Sequence, residues 1–383
     1  MGINNKPEIK FLMLKKRDAQ QFITSIKGKF KNVQIINQKY KILYENEYIL
    51  FPLVDDQDLP EFLSDFIEKN FNFKLIYRKG IQNLNFKHRS LQEALKSKIP
   101  ERYLDSIPQS YDIIGDIAIL EFDASSLINS VERIICKKII ANAIIDVNKN
   151  VRSVFEKKSE IKGNYRLREL AFLAGENKSE TIHKENDCIF KLDVKETYFS
   201  PRLVFERRRI STFNMNENEV IIDMFSGVGP FSIQIANINN VIIYAFDINP
   251  CAYQYLKENI ELNKLKGKIT PHNINIKDLT DPKNHIGKIL HHKADRLIMN
   301  LPEKALDFIN TACYLMKKSG GILHFYHFSE KPNPIERVKE LLKIKLEILN
   351  WNIEKILNSK VVKSYSPKKD LIVLDIRMYY LEE

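Results

Sequence analysis

Residues 220–232, Val-Ile-Ile-Asp-Met-Phe-Ser-Gly-Val-Gly-Pro-Phe-Ser, constrain the fold of this chain more than any other stretch. An apolar run of strand length ends at Asp223, and a tight turn carrying Gly227 and Gly229 leads into a helix. Glycine removes the side chain that would block a ligand, so the backbone of such a turn is open to close approach. A second apolar run, Val241-Ile-Ile-Tyr-Ala-Phe, ends at Asp247, and a third ends at Met299, followed by Asn300-Leu301-Pro302. Strands are expected near 219–223, 241–246, 268–270, 294–299, 321–326, 346–351 and 371–378, with helices between them. That alternation predicts a doubly wound α/β sheet. The run Leu371-Ile-Val-Leu-Asp-Ile-Arg-Met-Tyr is expected to pair with Leu346–Trp351 as a closing hairpin.

The ligand class follows from what the turn lacks. Gly227-x-Gly229 has no third glycine of the pyrophosphate fingerprint, and no G-x-x-x-x-G-K-[ST] is present to hold phosphates. Asp247, at the carboxyl end of the second strand, is placed to accept hydrogen bonds from ribose hydroxyls. The order acid and glycine turn, acid, then Asn-x-Pro fits S-adenosylmethionine better than a dinucleotide. The expected architecture is therefore a class I (Rossmann-like) methyltransferase domain.

With 383 residues the chain has length for two or three domains. Its net charge of +11 suits a polyanionic partner, and equally a lysine-rich proteome. Cys136, Cys188, Cys251 and Cys313 are widely spaced with no C-x-x-C, which argues for a reducing compartment and against a zinc site. The N-terminus has no signal-peptide core, and no segment approaches the roughly 18 apolar residues of a membrane span, so a cytoplasmic protein is expected.

Ahead of the sheet, residues 1–80 read as a small α/β domain, with a helix at Arg17–Ile26 and hairpin strands Tyr40-Lys-Ile-Leu-Tyr and Tyr48-Ile-Leu-Phe-Pro-Leu. A further helix and the strand Phe73-Lys-Leu-Ile-Tyr follow. Residues 81–190 read as an α+β domain. A helix capped by Ser90 opens it, and an apolar strand ending Ile-Ala-Ile-Leu-Glu-Phe follows. A helix at Leu127–Asn142 and strands at Val151–Lys157 and Asp187–Val194 complete it. Residues 191–383 form the methyltransferase domain.

Four patches stand out besides the glycine turn: Gly163-Asn-Tyr-Arg-Leu-Arg, Tyr198-Phe-Ser-Pro-Arg-Leu-Val-Phe-Glu-Arg-Arg-Arg, Asn259-Ile-Glu-Leu-Asn-Lys and Asn300-Leu-Pro-Glu-Lys-Ala. In this order they resemble the archaeal and eukaryotic tRNA methyltransferases that place a methyl on N1 of guanosine at position 37, beside the anticodon. The resemblance covers essentially the whole chain, including the small first domain.

The resemblance implies that Glu206 is the general base, taking the N1 proton as the methyl transfers, which requires its pKa to be raised by partial burial. It implies that Arg166 donates to O6 as negative charge develops there, and that Asn300 and Tyr198 orient the base and close the pocket. Read without it, Glu206 is a partner for Arg207, Arg208 or Arg209, and Arg166 and Arg168 are phosphate binders. Arg202 and Arg207 suit tRNA or cofactor contact as well as they suit catalysis. The expected cofactor residues are Arg207, Asp223, Phe225, Gly227, Gly229, Asp247, Ile248, Asn275, Ile276 and Asn300. The family usually carries an acid where this chain has Asn275. Basic residues at Lys27-Gly-Lys-Phe-Lys and Arg78-Lys-Gly are candidates to follow tRNA phosphates. The resemblance further implies action on the anticodon loop and body of tRNA. A monomer with no obligate protein partner is expected, no metal site or membrane segment is read from the residues, and dependence on a divalent ion is left open. The resemblance leaves room for methylation of a wyosine intermediate. The alternative is a wyosine-pathway relative that transfers the aminocarboxypropyl group of the same cofactor.

Overall fold

The computed structural model describes residues 8–28, 35–54, 63–64, 72–84, 86, 88, 90–95, 98–100, 103, 107–108, 110–122 and 130–382. The chain divides into two compact units, 1–94 and 95–383.

In the first unit, β1 (Glu8–Lys15), β2 (Leu43–Glu45), β3 (Tyr48–Pro52) and β4 (Phe73–Lys79) form an antiparallel sheet in the order β2-β3-β1-β4. The expected hairpin is β2–β3, and the expected helix runs Ala19–Gly28 after a short 3-10 turn. Phe22 of that helix meets Phe51 of β3 with ring centroids 4.6 Å apart, over Leu12 and Leu14. Strand β1, which the sequence reading did not identify, is central. Its Phe11-Leu-Met-Leu run lacks the clean alternation that would have marked it. Of the two basic stretches, Arg78 pairs with Glu45 across the sheet, whereas residues 29–31 and the side chain of Lys27 lie outside the described residues. The Ser90 hydroxyl accepts from the Glu93 N–H at 3.1 Å and caps Leu91–Leu95 as expected.

Among the described residues the second unit holds three sheets. Strands β5 (Tyr111–Ile114), β6 (Ile117–Leu120), β7 (Ser153–Lys157) and β8 (Leu170–Gly175) lie in that order. The helix Ser130–Val147 makes the crossover between parallel β6 and β7. Strands β9 (Glu180–Glu185) and β10 (Cys188–Asp193) form a hairpin. The third sheet runs β13-β12-β11-β14-β15-β17-β16, built from β11 (Val220–Asp223), β12 (Ile242–Phe246), β13 (Lys268–His272), β14 (Arg296–Met299), β15 (Gly321–Glu330), β16 (Trp351–Ser364) and β17 (Lys369–Tyr380). Strands β11 to β15 are parallel, and β17 is antiparallel to both its neighbours. Strand order reverses between β11 and β14, so the crevice outside their carboxyl ends is where such sheets take ligands.

One element differs from expectation. Of the expected strand 346–351, only Trp351 pairs with β17; residues 346–350 do not. Val338, Leu342 and Leu346 recur every four residues and are fully buried, and that period makes Pro334–Glu347 a helix. The closing hairpin is β16–β17, with β16 beginning at Trp351.

Candidate active site

The glycine turn joins β11 to the helix Pro230–Ile238, with Gly227 at φ +55° and Gly229 at φ +90°. A Cβ on Gly229 would stand 2.5 Å from Leu256 Cδ1, so glycine there permits helix packing. A Cβ on Gly227 would meet no atom closer than the Tyr198 carbonyl oxygen at 3.8 Å, because it would project into open space. That space is a cavity of about 310 Å³, within the range that takes small ligands.

Asp247 ties the cavity's loops together. Its Oδ2 accepts from the Gly227 N–H at 2.7 Å and its Oδ1 from the Asn249 N–H at 2.8 Å. Burial nonetheless holds its pKa above the ordinary value. Asp223, behind the turn, is fully buried. Its Oδ2 accepts from the Ser232 hydroxyl at 2.7 Å, while Oδ1 has no partner. Burial, with a smaller contribution from Asp247, pushes the Asp223 carboxyl up to about 7.

Of the expected cofactor residues, Arg207, Phe225, Gly227, Asp247, Ile248, Asn275, Ile276 and Asn300 line the cavity, and Asp223 and Gly229 support it from behind. Asn275 caps the 3-10 turn Ile276–Thr280, its side-chain oxygen accepting from the Lys277 N–H at 3.2 Å. The glycine cradle, the half-exposed Ile248 and the carboxylate on the loop after β12 fit an adenosyl ligand with a methionine tail.

At the other end of the same cavity stand Arg166, Tyr198 and Asn300. The Arg166 guanidinium lies over the Tyr198 ring, 4.4 Å from its centroid, and its Nη2 is 3.4 Å from Glu303 Oε1. Arg202 does not line the cavity; its Nε donates to Asp112 Oδ1 at 2.6 Å. Arg207 reaches the cavity wall with its guanidinium clamped by both oxygens of Glu185 on β9. Burial works against the Glu185 charge, but hydrogen bonds from His183 and Arg207 bring it down to about 2. The sequence reading missed Glu185, since its partner lies 22 residues further along the chain.

Glu206 departs from expectation. It sits in the first turn of the helix Val204–Ser211, 2% exposed, and does not line the cavity. Oε1 accepts from Arg209 and from the Tyr326 hydroxyl at 2.9 Å, and Oε2 is 2.8 Å from Lys360 Nζ. The expectation of a raised pKa is overturned: burial does raise it, but Arg209 and Lys360 outweigh burial and hold it below the ordinary value. The network continues inward. Arg209 Nη1 reaches Asp375 at 2.6 Å, Asp375 meets His324 Nδ1 at 2.6 Å, and His324 Nε2 is 2.9 Å from Arg296 Nη1. Burial keeps His324 neutral, with Nδ1 donating to Asp375 and Nε2 accepting from Arg296. Among the described residues no group of His, Cys, Asp or Glu side chains is gathered as for a metal ion, and no helix is long and apolar enough to cross a membrane.

Residues 181–351 match the TRM5/TYW2 methyltransferase domain, and residues 91–178 the TYW2 N-terminal domain. The tRNA (guanine(37)-N(1))-methyltransferase Trm5b of Pyrococcus abyssi is 36% identical over 353 residues, covering 90% of this chain and 93% of that protein. The structure of aTrm5 in complex with tRNALeu superposes with a TM-score of 0.72 at 33% identity, covering 96% of this chain and 99% of that one. M. jannaschii TYW2 in complex with AdoMet superposes at 0.53 with 28% identity, covering 71% of this chain and all of that one.

Proposed function

Because the chain belongs to the TRM5/TYW2 methyltransferase family, we propose that it transfers a methyl group from S-adenosylmethionine to N1 of guanosine at position 37 of tRNA. The observation that carries this reading is one cavity that joins the Gly227 cradle and Asp247 to Arg166, Tyr198 and Asn300. The full-length likeness to a guanine-N1 methyltransferase, first unit included, favours methyl transfer over aminocarboxypropyl transfer.

The cofactor supplies an electrophilic methyl on a sulfonium. What this chain supplies is placement, charge and a proton acceptor. Asp247 and Asn275 hold ribose and adenine, Ile248 and Ile276 pack on the ring, and the Phe225–Gly229 backbone follows the methionine end. Arg166, held by the Tyr198 face, donates to O6 as charge accumulates there. Asn300 orients the base. Glu206 takes the N1 proton; since its lone pairs are engaged by Arg209, Tyr326 and Lys360 and it does not line the cavity, it must give up one of these partners and turn into the cavity to do so. Lys360, half-exposed, is the partner most readily released. A low pKa keeps Glu206 ionised at neutral pH and makes it a weak but always available base.

Division of the chain at about residues 80 and 190 gives a small tRNA-contacting domain, a middle domain carrying Arg166 and the methyltransferase domain. We place the protein in the cytoplasm as a monomer. The reading is tested by transfer of labelled methyl to tRNA transcripts with guanosine or adenosine at position 37, with Glu206→Gln alongside. A 1-methylguanosine product that needs the guanosine and falls about 100-fold or more in the variant supports it. Label that ignores the base at position 37 overturns the site, and a mass gain of an aminocarboxypropyl group on precursor-bearing tRNA overturns the reaction. Methylation of a wyosine precursor would add a second substrate.

A further inference from the structure

The geometry points to Glu303 as the residue that makes this site select guanine through its 2-amino group, a role that rests on the reading just given. Three carboxylates line the cavity: Asp247, Glu303 and Asp307. Asp247 is engaged by two backbone N–H groups. Glu303 stands beside Arg166, 3.4 Å from its Nη2, with Asn300 three residues before it on the same loop.

A guanidinium next to a carboxylate presents a donor beside an acceptor. The Watson–Crick edge of guanine is the complement: O6 accepts, and N1–H and the 2-amino group donate. Adenine reverses the first two positions, setting an amino donor against Arg166. A base extruded from its stack is read along this edge.

Three observations mark the pair as one that has room for a ligand. Arg166 Nε is buried with no hydrogen-bond partner. Arg166 also holds φ +56°, a conformation that costs a non-glycine residue energy and is concentrated at ligand-binding positions. The contact to Glu303 is a single one at 3.4 Å, long for a charge-assisted bond, so the carboxylate has acceptor capacity left over. Tyr165 adjoins the pair on the cavity wall, 44% exposed, and offers a ring face to an extruded base. In this arrangement Arg166 takes O6, Glu303 accepts from the 2-amino group, and N1 lies between them.

Inosine differs from guanosine only in lacking the 2-amino group, which makes it the probe. Single-turnover methyl transfer is measured on transcripts with guanosine or inosine at position 37, using the wild type, Glu303→Met and Glu303→Gln. The wild type should prefer guanosine by about tenfold or more, the usual worth of a hydrogen bond to a charged group. Glu303→Met should bring the ratio close to one, and Glu303→Gln, which keeps a neutral acceptor, should recover part of it. A wild-type ratio near one, or a ratio that survives Glu303→Met, overturns the proposal. So does a uniform loss on both substrates, which would make Glu303 only the counter-ion of Arg166. A wild type that methylates neither transcript overturns the underlying reading and the proposal with it.

Discussion

Lys360 Nζ lies 2.8 Å from Glu206 Oε2, so a cation from the closing hairpin shuts on a buried acid carried by the helix that leads into the sheet. The two are unequal in exposure, the acid at 2% and the lysine side chain at 41%. One partner is therefore fixed and the other replaceable.

Lys360→Met should move the acid limb of the pH–rate profile upward. Glu206 is held below its ordinary pKa, with burial opposed by Arg209 and Lys360, and losing one of these cations lets burial count for more. The sign for stability is the same. A depressed folded-state pKa contributes stability above the unfolded value, lost as pH falls through the folded value, so the variant should lose its acid stability at higher pH. At neutral pH the cost should be about 1 kcal/mol or less, because the lysine is well solvated. Single-turnover rates and urea midpoints across pH 3–8 check both; an unmoved acid limb would remove Glu206 from the rate-determining ionisation.

Asp375→Asn tests the chain of charges behind the base. Asp375 is wholly buried between Arg209 and His324, and Asn358 donates to it at 2.9 Å. Neutralising it leaves Arg209 with Glu206 as its remaining carboxylate partner in this network, and His324 Nδ1 with a weaker acceptor. Breaking a buried pair from one side typically costs about 3–5 kcal/mol. Urea denaturation at pH 7 should show a loss of that order, and a loss below about 1 kcal/mol would mean the cluster is solvated.

Much of this site was legible in the sequence because its ligand-facing residues fall at strand ends and turns. Asp247, Gly227 and Asn300 each follow an apolar run, and period and punctuation alone locate them. Arg166 and Tyr198 needed the resemblance, since neither sits in a pattern that physical reasoning singles out. What surrounds Glu206 was not legible. Tyr326 and Lys360 lie 120 and 154 positions beyond it, and only the pairing of β15, β17 and β16 brings them back. A carboxylate's neighbours decide whether burial raises or lowers its pKa, and the expectation had counted burial alone. Strand β16 was misplaced for a related reason. It is bulged and interrupted by a partly buried polar run, Asn358-Ser-Lys360, while the helix before it carries the apolar period.

Asp223 predicts a pH dependence of the opposite sign. Its folded-state pKa of about 7 lies above the unfolded value near 3.8, chiefly through burial. Between those values the folded protein binds the extra proton, so this group's contribution to stability falls as pH rises from about 4 to 7. Asp223→Asn should remove that decline, and the difference in unfolding free energy between variant and wild type should grow across the window. Matched urea titrations at pH 4.5, 6 and 7.5 give the answer. A difference independent of pH would mean that Asp223 is already ionised when folded, with Oδ1 hydrated.

Asn275→Asp should tighten cofactor binding. Asn275 caps its 3-10 turn through one side-chain oxygen, and aspartate caps equally well, so the fold should not resist the change. The residue lines the cavity between Ile274 and Ile276, where the adenine amino group is expected to donate. A carboxylate accepts more strongly than an amide oxygen, and a gain of about 1 kcal/mol corresponds to roughly fivefold in affinity. Calorimetric titration should show that gain for S-adenosylmethionine and S-adenosylhomocysteine alike, because both carry the adenine. With an analogue whose 6-amino group is replaced by oxygen, the gain should vanish. Equal affinities of wild type and variant would place the adenine elsewhere in the cavity. A gain that persists with the oxygen analogue would assign it to bulk charge rather than to recognition of the amino group.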